Sequence, residues 1–270
     1  MFKIITALFR MGPTLIHDYL KWMRRYAKHP DDYPFEVRYK TIRELVIKIL
    51  HKFRLEFEVN GLEKLNGVEG PVLIVSNHLS LMDSLTLIAL SKKPISFVSK
   101  KENEKMPMLG KVMKALDSCF LDRGNLRQNG EVLAQVEKRL EEGVCSYVIF
   151  PEGTRQKNVR DNLLPMHPGS FKIAGKAKVP LIPVAQYGTF HLLGKGGPKS
   201  IYVQVSILDA IQPEVFYNEG TVEAANRIRA SIQENVNKLR DRDDAYHLAR
   251  KNKKKPLHPD WVGRYQLLSE

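Results

Sequence analysis

One short stretch, residues 71–83, constrains the fold of this chain more than any other part of the sequence; it reads PVLIVSNHLSLMD. Its apolar run, residues 71–75, is too short for a helix and predicts a strand that is buried on both faces. Polar residues 76–78 interrupt the run, and residues 80–90 have a pattern typical of a helix. The stretch therefore predicts a strand, a polar turn and a helix, and open α/β sheets bind ligands at this end of a strand.

Two residues of this stretch, His78 and Asp83, have a spacing that permits a catalytic pair. Ser80 and Asp83 have the spacing of a capping box, which puts Asp83 in the first turn of the helix. Five residues of continuous helix turn through about 500°, so the two side chains meet only if His78 precedes the helix. An aspartate bound to one imidazole nitrogen leaves the other nitrogen free as a base. The alternative is a capping carboxylate beside a solvated turn histidine.

A second strand-like run, residues 145–150, ends in the polar turn PEGTR at residues 151–155. Gly153 lets the backbone approach a ligand closely. Thr154 and Arg155 supply donors that suit a phosphate group.

The two motifs, in this order, resemble those of the glycerolipid acyltransferase family. The first contains Asn77, His78 and Asp83, and the second is the segment 150–155 (FPEGTR). The resemblance implies that His78 takes the proton from the sn-2 hydroxyl of 1-acyl-sn-glycerol 3-phosphate (lysophosphatidic acid), while Asp83 orients the imidazole. The hydroxyl oxygen then attacks an acyl thioester of acyl carrier protein or of CoA, and phosphatidic acid forms. It implies no metal or nucleotide cofactor.

The same resemblance implies roles for other polar residues. Those expected to bind the substrate phosphate are Arg155, Arg123 and Lys100, and those expected to bind substrate or to shape the motifs are Glu152, Gly153, Thr154 and Asn77. Glu152 is expected to contact the glycerol part of the acceptor. A salt bridge with Asp122 is the alternative for Arg123, and a solvated loop position is the alternative for Lys100.

Composition limits the class of protein and its partners. The chain has 270 residues, enough for one α/β domain with an appendage. We expect a mostly parallel or mixed central sheet flanked by helices, with an N-terminal amphipathic helical pair. The two cysteines, Cys119 and Cys145, indicate reduced core packing without a disulfide or a metal site. The net charge of +13 indicates an anionic partner.

The N-terminal segment, residues 1–34, is both apolar and basic, and no apolar run in it approaches the roughly 20 residues that span a bilayer. Its apolar run is also short for a signal peptide. We expect two helices that lie in the interface of an anionic membrane, on its cytoplasmic face, and an acyltransferase domain over residues 35–270. The alternative is a helical pair packed on the protein's own core.

The remaining pattern predicts further elements. The alternation over 55–59 indicates an exposed-face strand, and the prolines of 179–185 indicate an edge strand or a strand start. Helices are expected over 35–53, 108–116, 129–143, 171–177 and 219–255, and strands over 95–98 and 200–208. His167 and His191 have no carboxylate partner nearby in sequence and are interpreted as structural or loop residues. The basic segment 251–255 is a solvated tail or a second contact with anionic lipid or acidic carrier protein.

Three alternatives to this function remain open. The acceptor can be glycerol 3-phosphate or another lysolipid, because the motifs do not separate these. A serine hydrolase would use Ser76 or Ser80 with His78, although no Gly-x-Ser-x-Gly elbow is present. A non-catalytic basic module would bind membranes or nucleic acid, but no nucleic-acid-binding motif supports it and we expect no nucleic acid partner.

Overall fold

The computed structural model describes residues 12–13, 16–53, 55–106, 108–122, 124–192 and 201–252. The first predicted amphipathic helix, Arg123 and most of the basic tail lie outside these ranges. The strands are β1 (Leu55–Asn60), β2 (Leu73–Ser76), β3 (Ile95–Lys100), β4 (Cys119–Leu121), β5 (Ser146–Ile149), β6 (Leu181–Tyr187) and β7 (Ile201–Ile207). The helices are α1 (Arg24–Lys28), α2 (Phe35–Lys52), α3 (Leu62–Asn66), α4 (Met82–Leu90), α5 (Lys101–Glu104), α6 (Leu109–Ala115), α7 (Leu126–Glu141), α8 (Gly169–Lys176), α9 (Val215–Asn218) and α10 (Thr221–Lys251).

Within the described ranges the strands form one sheet in the order β1-β7-β6-β2-β5-β3-β4. Neighbouring strands are parallel except β6 and β7, which are antiparallel. The predicted single α/β domain with a mostly parallel, mixed sheet is therefore confirmed. The strand expected from residues 71–75 is central: all four residues of β2 are buried, and it pairs with β5 and β6.

Alternate residues of β2 enter two hydrophobic cores, one on each face of the sheet. Ile74 belongs to the core that includes Ile42 of α2 and Leu87 of α4. Leu73 belongs to the core that includes Ile228 of α10. Burial on both faces explains why the sequence of β2 is continuously apolar instead of alternating.

The prediction of an edge position for β6 is wrong, because β6 lies between β2 and β7. The sheet tolerates Pro183 inside β6 because of the way this strand pairs with its two neighbours. Pro183 is opposite Val75 of β2, and pairing with β7 begins only at Val184. Pro183 therefore lies between the last β6–β7 pair, at Val184, and the bridge of Leu181 with Ile211, and its missing N–H interrupts neither.

The prediction of an exposed face for β1 is also wrong: Glu56 and Glu58 are buried. The C-terminal helix α10 brings Tyr246 and Arg242 to this strand. The Tyr246 hydroxyl donates to Glu56 Oε2 at 2.9 Å, and Arg242 donates to Glu58. Buried carboxylates are tolerated when donors compensate them, and here those donors come from about 190 residues further along the chain.

The second half of the N-terminal segment packs on the domain. Trp22, Met23 and Tyr26 are buried in the core that contains α2, so the packing alternative is observed for this part. Its opposite face keeps Ile16 and Leu20 exposed, each at 61%. Among the described helices, none has the length and apolarity needed to cross a membrane. Cys119 and Cys145 are both buried and free.

Candidate active site

The turn between β2 and α4 brings His78 and Asp83 together. His78 precedes the helix, as the spacing requires, and its Nδ1 lies 2.9 Å from Asp83 Oδ2. One half of the predicted capping box forms, because the Ser80 N–H donates to Asp83 Oδ2 at 2.8 Å. In the other half, Ser80 Oγ accepts from the Met82 N–H at 3.3 Å, and the Asp83 N–H donates to the Ser80 carbonyl instead. The same local signal that begins the helix therefore positions the carboxylate under the imidazole.

Asp83 is fully buried and accepts hydrogen bonds on both oxygens. Besides His78, the Leu79 N–H donates to Oδ2 at 2.7 Å, and the Thr189 hydroxyl donates to Oδ1. Since Asp83 acts as the acceptor, Nδ1 of His78 must carry a proton. In the neutral ring Nε2 then has a free lone pair, which is the state of a general base.

The second motif holds the backbone of His78 on both sides. The His78 N–H donates to Glu152 Oε1 at 2.8 Å, and the His78 carbonyl accepts from the Gln156 N–H at 2.9 Å. The His78 ring also stacks on Phe150, with 4.1 Å between ring centroids. The two sequence motifs therefore meet at His78, although more than 70 residues separate Glu152 from it.

Glu152 is buried, and both of its oxygens accept from backbone. Oε2 accepts from the Leu164 N–H at 3.0 Å. Burial raises the pKa of Glu152, and the hydrogen bonds from His78 and Leu164 oppose that rise without cancelling it. This geometry makes Glu152 a link between two loops and the turn of His78, which is the motif-shaping role; contact with the glycerol part of a substrate stays a prediction.

Asn77 extends the pairing of β2 with β6 beyond the end of the strand. Its amide nitrogen donates to the Gln186 carbonyl at 3.0 Å, and its amide oxygen accepts from the Gln186 N–H at 2.8 Å. Asn77 is completely buried. Asn77 therefore has a motif-shaping role, because its two hydrogen bonds fix the start of the turn of His78 against β6.

A cavity of about 640 Å³ opens at the carboxyl ends of β3, β4 and β5, and His78 lines it. This volume lies within the range of sites that hold small organic ligands. Its apolar wall is made by Val98, Leu121, Leu133, Ile149 and Phe150. Polar groups at its border include Lys100, Glu152, Gly153 and Thr154. The base is thus placed beside an apolar space whose described lining includes one cationic side chain, Lys100.

Comparison with known proteins agrees with this geometry. The sequence profile of the family described as Acyltransferase matches residues 56–187, which contain both motifs. A probable 1-acyl-sn-glycerol-3-phosphate acyltransferase of Mycoplasma genitalium is 31% identical over 225 residues, covering 78% of this chain and 82% of that protein. The chain belongs to the acyltransferase family. It is therefore an enzyme of the O-acyltransferase class.

Two further relatives of this acyltransferase extend the comparison. A probable 1-acyl-sn-glycerol-3-phosphate acyltransferase of Mycoplasma pneumoniae is 33% identical over 178 residues, covering 64% of this chain and 65% of that protein. The crystal structure of the 1-acyl-sn-glycerophosphate (LPA) acyltransferase PlsC from Thermotoga maritima matches with a TM-score of 0.63 at 25% identity. That match covers 88% of this chain and 92% of the other.

Of the three cationic residues predicted to bind the phosphate, only Lys100 is among the described residues that line the cavity. Lys100, at the end of β3, lines the cavity, and its Nζ lies 3.1 Å from Glu102 Oε1. Arg155 is exposed in the turn that follows Thr154, outside the set of described residues that line the cavity. Arg123 lies outside the described residues. Phosphate binding by these three residues stays a prediction.

Sequence reasoning missed Thr189 of this acyltransferase. Its hydroxyl binds the catalytic-motif carboxylate from 106 residues away, through a 3-10 turn (Thr189–Leu192) that follows β6. A usable signal existed, because the second oxygen of a buried carboxylate needs a donor. The sequence does not show which of its hydroxyl groups supplies it.

Replacing Glu152 with glutamine should lower the free energy of unfolding by about 1–3 kcal/mol, because one amide oxygen cannot accept from two opposing backbone N–H groups. Urea unfolding measures this difference. Glu131→Gln on α7, where the side chain is 70% exposed, is the matched control and should change stability by less than about 0.5 kcal/mol. Equal stability of wild type and Glu152→Gln would contradict the linking role.

The same variant has a pH signature. The raised pKa of Glu152 lies above its ordinary value of 4.5, so the stability it contributes is fully present below pH 4.5 and is lost as the pH rises through the folded-state pKa. Glu152→Gln lacks this titration. The stability difference between the two proteins should therefore be larger at about pH 4 than at about pH 7.

Proposed function

We propose that this acyltransferase moves an acyl group from an acyl thioester to the sn-2 hydroxyl of 1-acyl-sn-glycerol 3-phosphate, giving phosphatidic acid. The observation that carries the proposal is the His78–Asp83 pair at the border of an apolar cavity. The names of the Mycoplasma and Thermotoga relatives support this choice of acceptor. The donor is acyl carrier protein or CoA thioester.

The reaction needs one base and no protein nucleophile. Nε2 of His78 removes the hydroxyl proton while the hydroxyl oxygen bonds to the thioester carbonyl carbon. The carbon–sulfur bond then breaks, and the imidazolium returns the proton to the leaving thiolate. Asp83 stabilises the imidazolium between these two transfers. All groups that react belong to the two substrates and to His78, so the proposal includes no metal or nucleotide cofactor.

The cavity suits an acceptor with an acyl chain and a phosphate group. Its apolar wall can shield a chain from water, while Lys100 stands at its border as a cation for the phosphate. Arg155 and Arg123 would complete the phosphate contacts. Fixing the phosphate brings the hydroxyl oxygen into a constant position relative to His78, and such positioning is a large part of enzymatic rate enhancement.

The serine hydrolase alternative is weakened by hydrogen bonding within the described residues. The Ser76 hydroxyl donates to the Asn77 carbonyl and accepts from Gln186 Nε2, and the Ser80 hydroxyl accepts from the Met82 N–H. Both serines are buried. A nucleophilic serine needs a hydroxyl directed at the histidine and open to substrate, whereas these hydroxyl groups contribute to the local fold.

Thiol release from an acyl thioester tests the proposed function directly. Acyl-CoA and acyl carrier protein thioesters are each supplied with lysophosphatidic acid, with glycerol 3-phosphate, with another lysophospholipid and with no acceptor. We expect release to depend on lysophosphatidic acid and phosphatidic acid to form in equal amount. Release without any acceptor would indicate a hydrolase, and preference for another acceptor would overturn the assignment of substrate.

The proposal includes a peripheral position on the cytoplasmic face of an anionic membrane, since substrate and product both carry acyl chains. Ile16 and Leu20 face outward beside the exposed cations Lys21 and Arg24. An exposed apolar patch with adjacent cations is typical of helices that lie in a membrane interface. The opposite face of the same segment is anchored in the core by Trp22 and Met23.

Replacing Leu20 with aspartate should weaken binding to anionic phospholipid vesicles by about tenfold or more. The variant loses the apolar contact that the exposed leucine side chain makes with lipid, and it adds one negative charge. Vesicle cosedimentation measures the effect. Leu248→Asp on α10 is the matched control, since Leu248 is also 61% exposed. Equal weakening by both variants would show that charge alone, and not this face, sets the binding.

A further inference from the structure

Outside the candidate active site, three potential metal ligands converge near the C-terminal helix. They are His191 in the 3-10 turn after β6, and Asp243 and His247 on α10. Asp243 and His247 are four residues apart, which puts them on the same face of the helix. One ligand atom from each residue lies within 4.8 Å of the other two.

The distances fit a single cation. His191 Nε2 lies 3.2 Å from His247 Nε2 and 2.9 Å from Asp243 Oδ2. Zinc–nitrogen bonds of about 2.0–2.1 Å at a tetrahedral angle separate two nitrogen atoms by about 3.3 Å. Both imidazoles therefore stand at the separation that they would have as ligands of one zinc-like ion.

Hydrogen bonding alone satisfies this cluster poorly. Nε2 of His191 can carry only one proton, yet it faces both a carboxylate oxygen and the Nε2 of His247. The side chain of Asp243 is only 3% exposed, and its Oδ1 makes no hydrogen bond to any described residue. That oxygen lies 3.5 Å from His247 Nε2. A buried carboxylate oxygen whose nearest described donor stands at this distance is only weakly satisfied, and a cation would use its lone pair.

We infer that His191, Asp243 and His247 bind one divalent cation of the zinc type. Two imidazoles and one carboxylate favour Zn²⁺, Co²⁺ or Ni²⁺ over Mg²⁺ and Ca²⁺, which prefer oxygen ligands. The imidazoles keep 23% and 31% exposure, so a water molecule can reach the fourth position. The site lies outside the active-site cavity, because none of its ligands lines the cavity that His78 borders.

The place of the site in the fold indicates a structural role. His191 is two residues after Thr189, whose hydroxyl binds Asp83, and both belong to the turn Thr189–Leu192. A bound cation would tie this turn to α10 and so fix the residue that holds Asp83. We expect the cation to stabilise the whole chain, since only the folded state brings the three ligands together.

Metal binding to the full-length, untagged protein tests the site. After treatment with a chelator, the protein is titrated with Zn²⁺ in competition with a chromophoric chelator, and with Co²⁺ for its visible absorption. We expect one Zn²⁺ per chain, a Co²⁺ spectrum of tetrahedral type, and no competition from Mg²⁺. Zinc at about 100 times its dissociation constant should raise the melting temperature by about 5 °C.

Two conservative variants make the test specific. His247→Gln and His191→Gln should each weaken zinc binding by more than the 10–100-fold that loss of an outer-shell partner costs. Asp243 is left unchanged because it is buried. His17→Gln is the matched control, since His17 lies 3.3 Å from Asp18 and has no second histidine beside it among the described residues. Absence of zinc in the wild type, or equal affinity in wild type and His247→Gln, would overturn the inference.

Discussion

Replacing His78 with alanine should lower the rate of acceptor-dependent thiol release by a factor of about 10³ to 10⁴, the loss expected when a general base and its charged partner no longer act. The reaction would otherwise have to rely on water as the base. Binding of lysophosphatidic acid should be nearly unchanged, since the phosphate contacts belong to other residues. Steady-state kinetics with both thioester donors would therefore show a fall in kcat and little change in KM.

The fold should survive this change. His78 is held through its backbone N–H and carbonyl, and alanine retains both contacts. Circular dichroism and thermal unfolding check this point. His167→Ala is the matched control: His167 also lines the cavity but has no carboxylate partner among the described residues. Activity of His78→Ala within tenfold of the wild type would sink the proposed mechanism.

The part of the site that could be predicted from the sequence is the part made by neighbours in the chain. The turn of His78 and the first turn of α4 are specified by a capping box within six residues, and β2 is specified by its continuous apolar run. Local signals of this kind depend on backbone geometry and hydrogen bonding within one turn. They permit His78 to lie beside Asp83 without any contact between distant segments.

The part that could not be predicted depends on contacts between distant segments. Thr189 reaches Asp83 only because β6 lies next to β2, and a rule about prolines placed β6 at an edge instead. The alternation over 55–59 predicts exposed glutamates in β1, whereas donors from α10 allow both of them to be buried. Alternation of charged and apolar residues usually indicates that one face of a strand is exposed to solvent. A long helix that packs across that face buries it, and the pattern of the strand does not show this.

The cluster of His191, Asp243 and His247 shows the same limit for the proposed cation site. His191 and Asp243 are 52 residues apart, and no short metal-binding spacing connects them. A pattern search therefore interprets His191 as a lone loop histidine. Only the packing of α10 against the turn after β6 makes the three side chains neighbours.

Replacing Asp83 with asparagine should lower kcat by a factor of about 10² to 10³, because the neutral amide no longer stabilises the imidazolium of His78. The geometry of the site should persist. The amide oxygen can accept from His78, Leu79 and Ser80 in place of Oδ2, and the amide N–H can donate to Thr189, whose hydroxyl rotates to accept. Loss of the charged acceptor should still lower the free energy of unfolding by about 1–3 kcal/mol.

A double variant decides whether Asp83 works through His78. Once alanine replaces His78, no imidazolium forms, and the charge of Asp83 has nothing to stabilise during the reaction. His78→Ala combined with Asp83→Asn should therefore be no slower than His78→Ala alone, when both are assayed as folded protein. A further fall of 10² or more in the double variant would assign Asp83 a separate contact with the substrate. Equal rates would show that the two side chains act as one unit, as expected from a carboxylate that is fully buried.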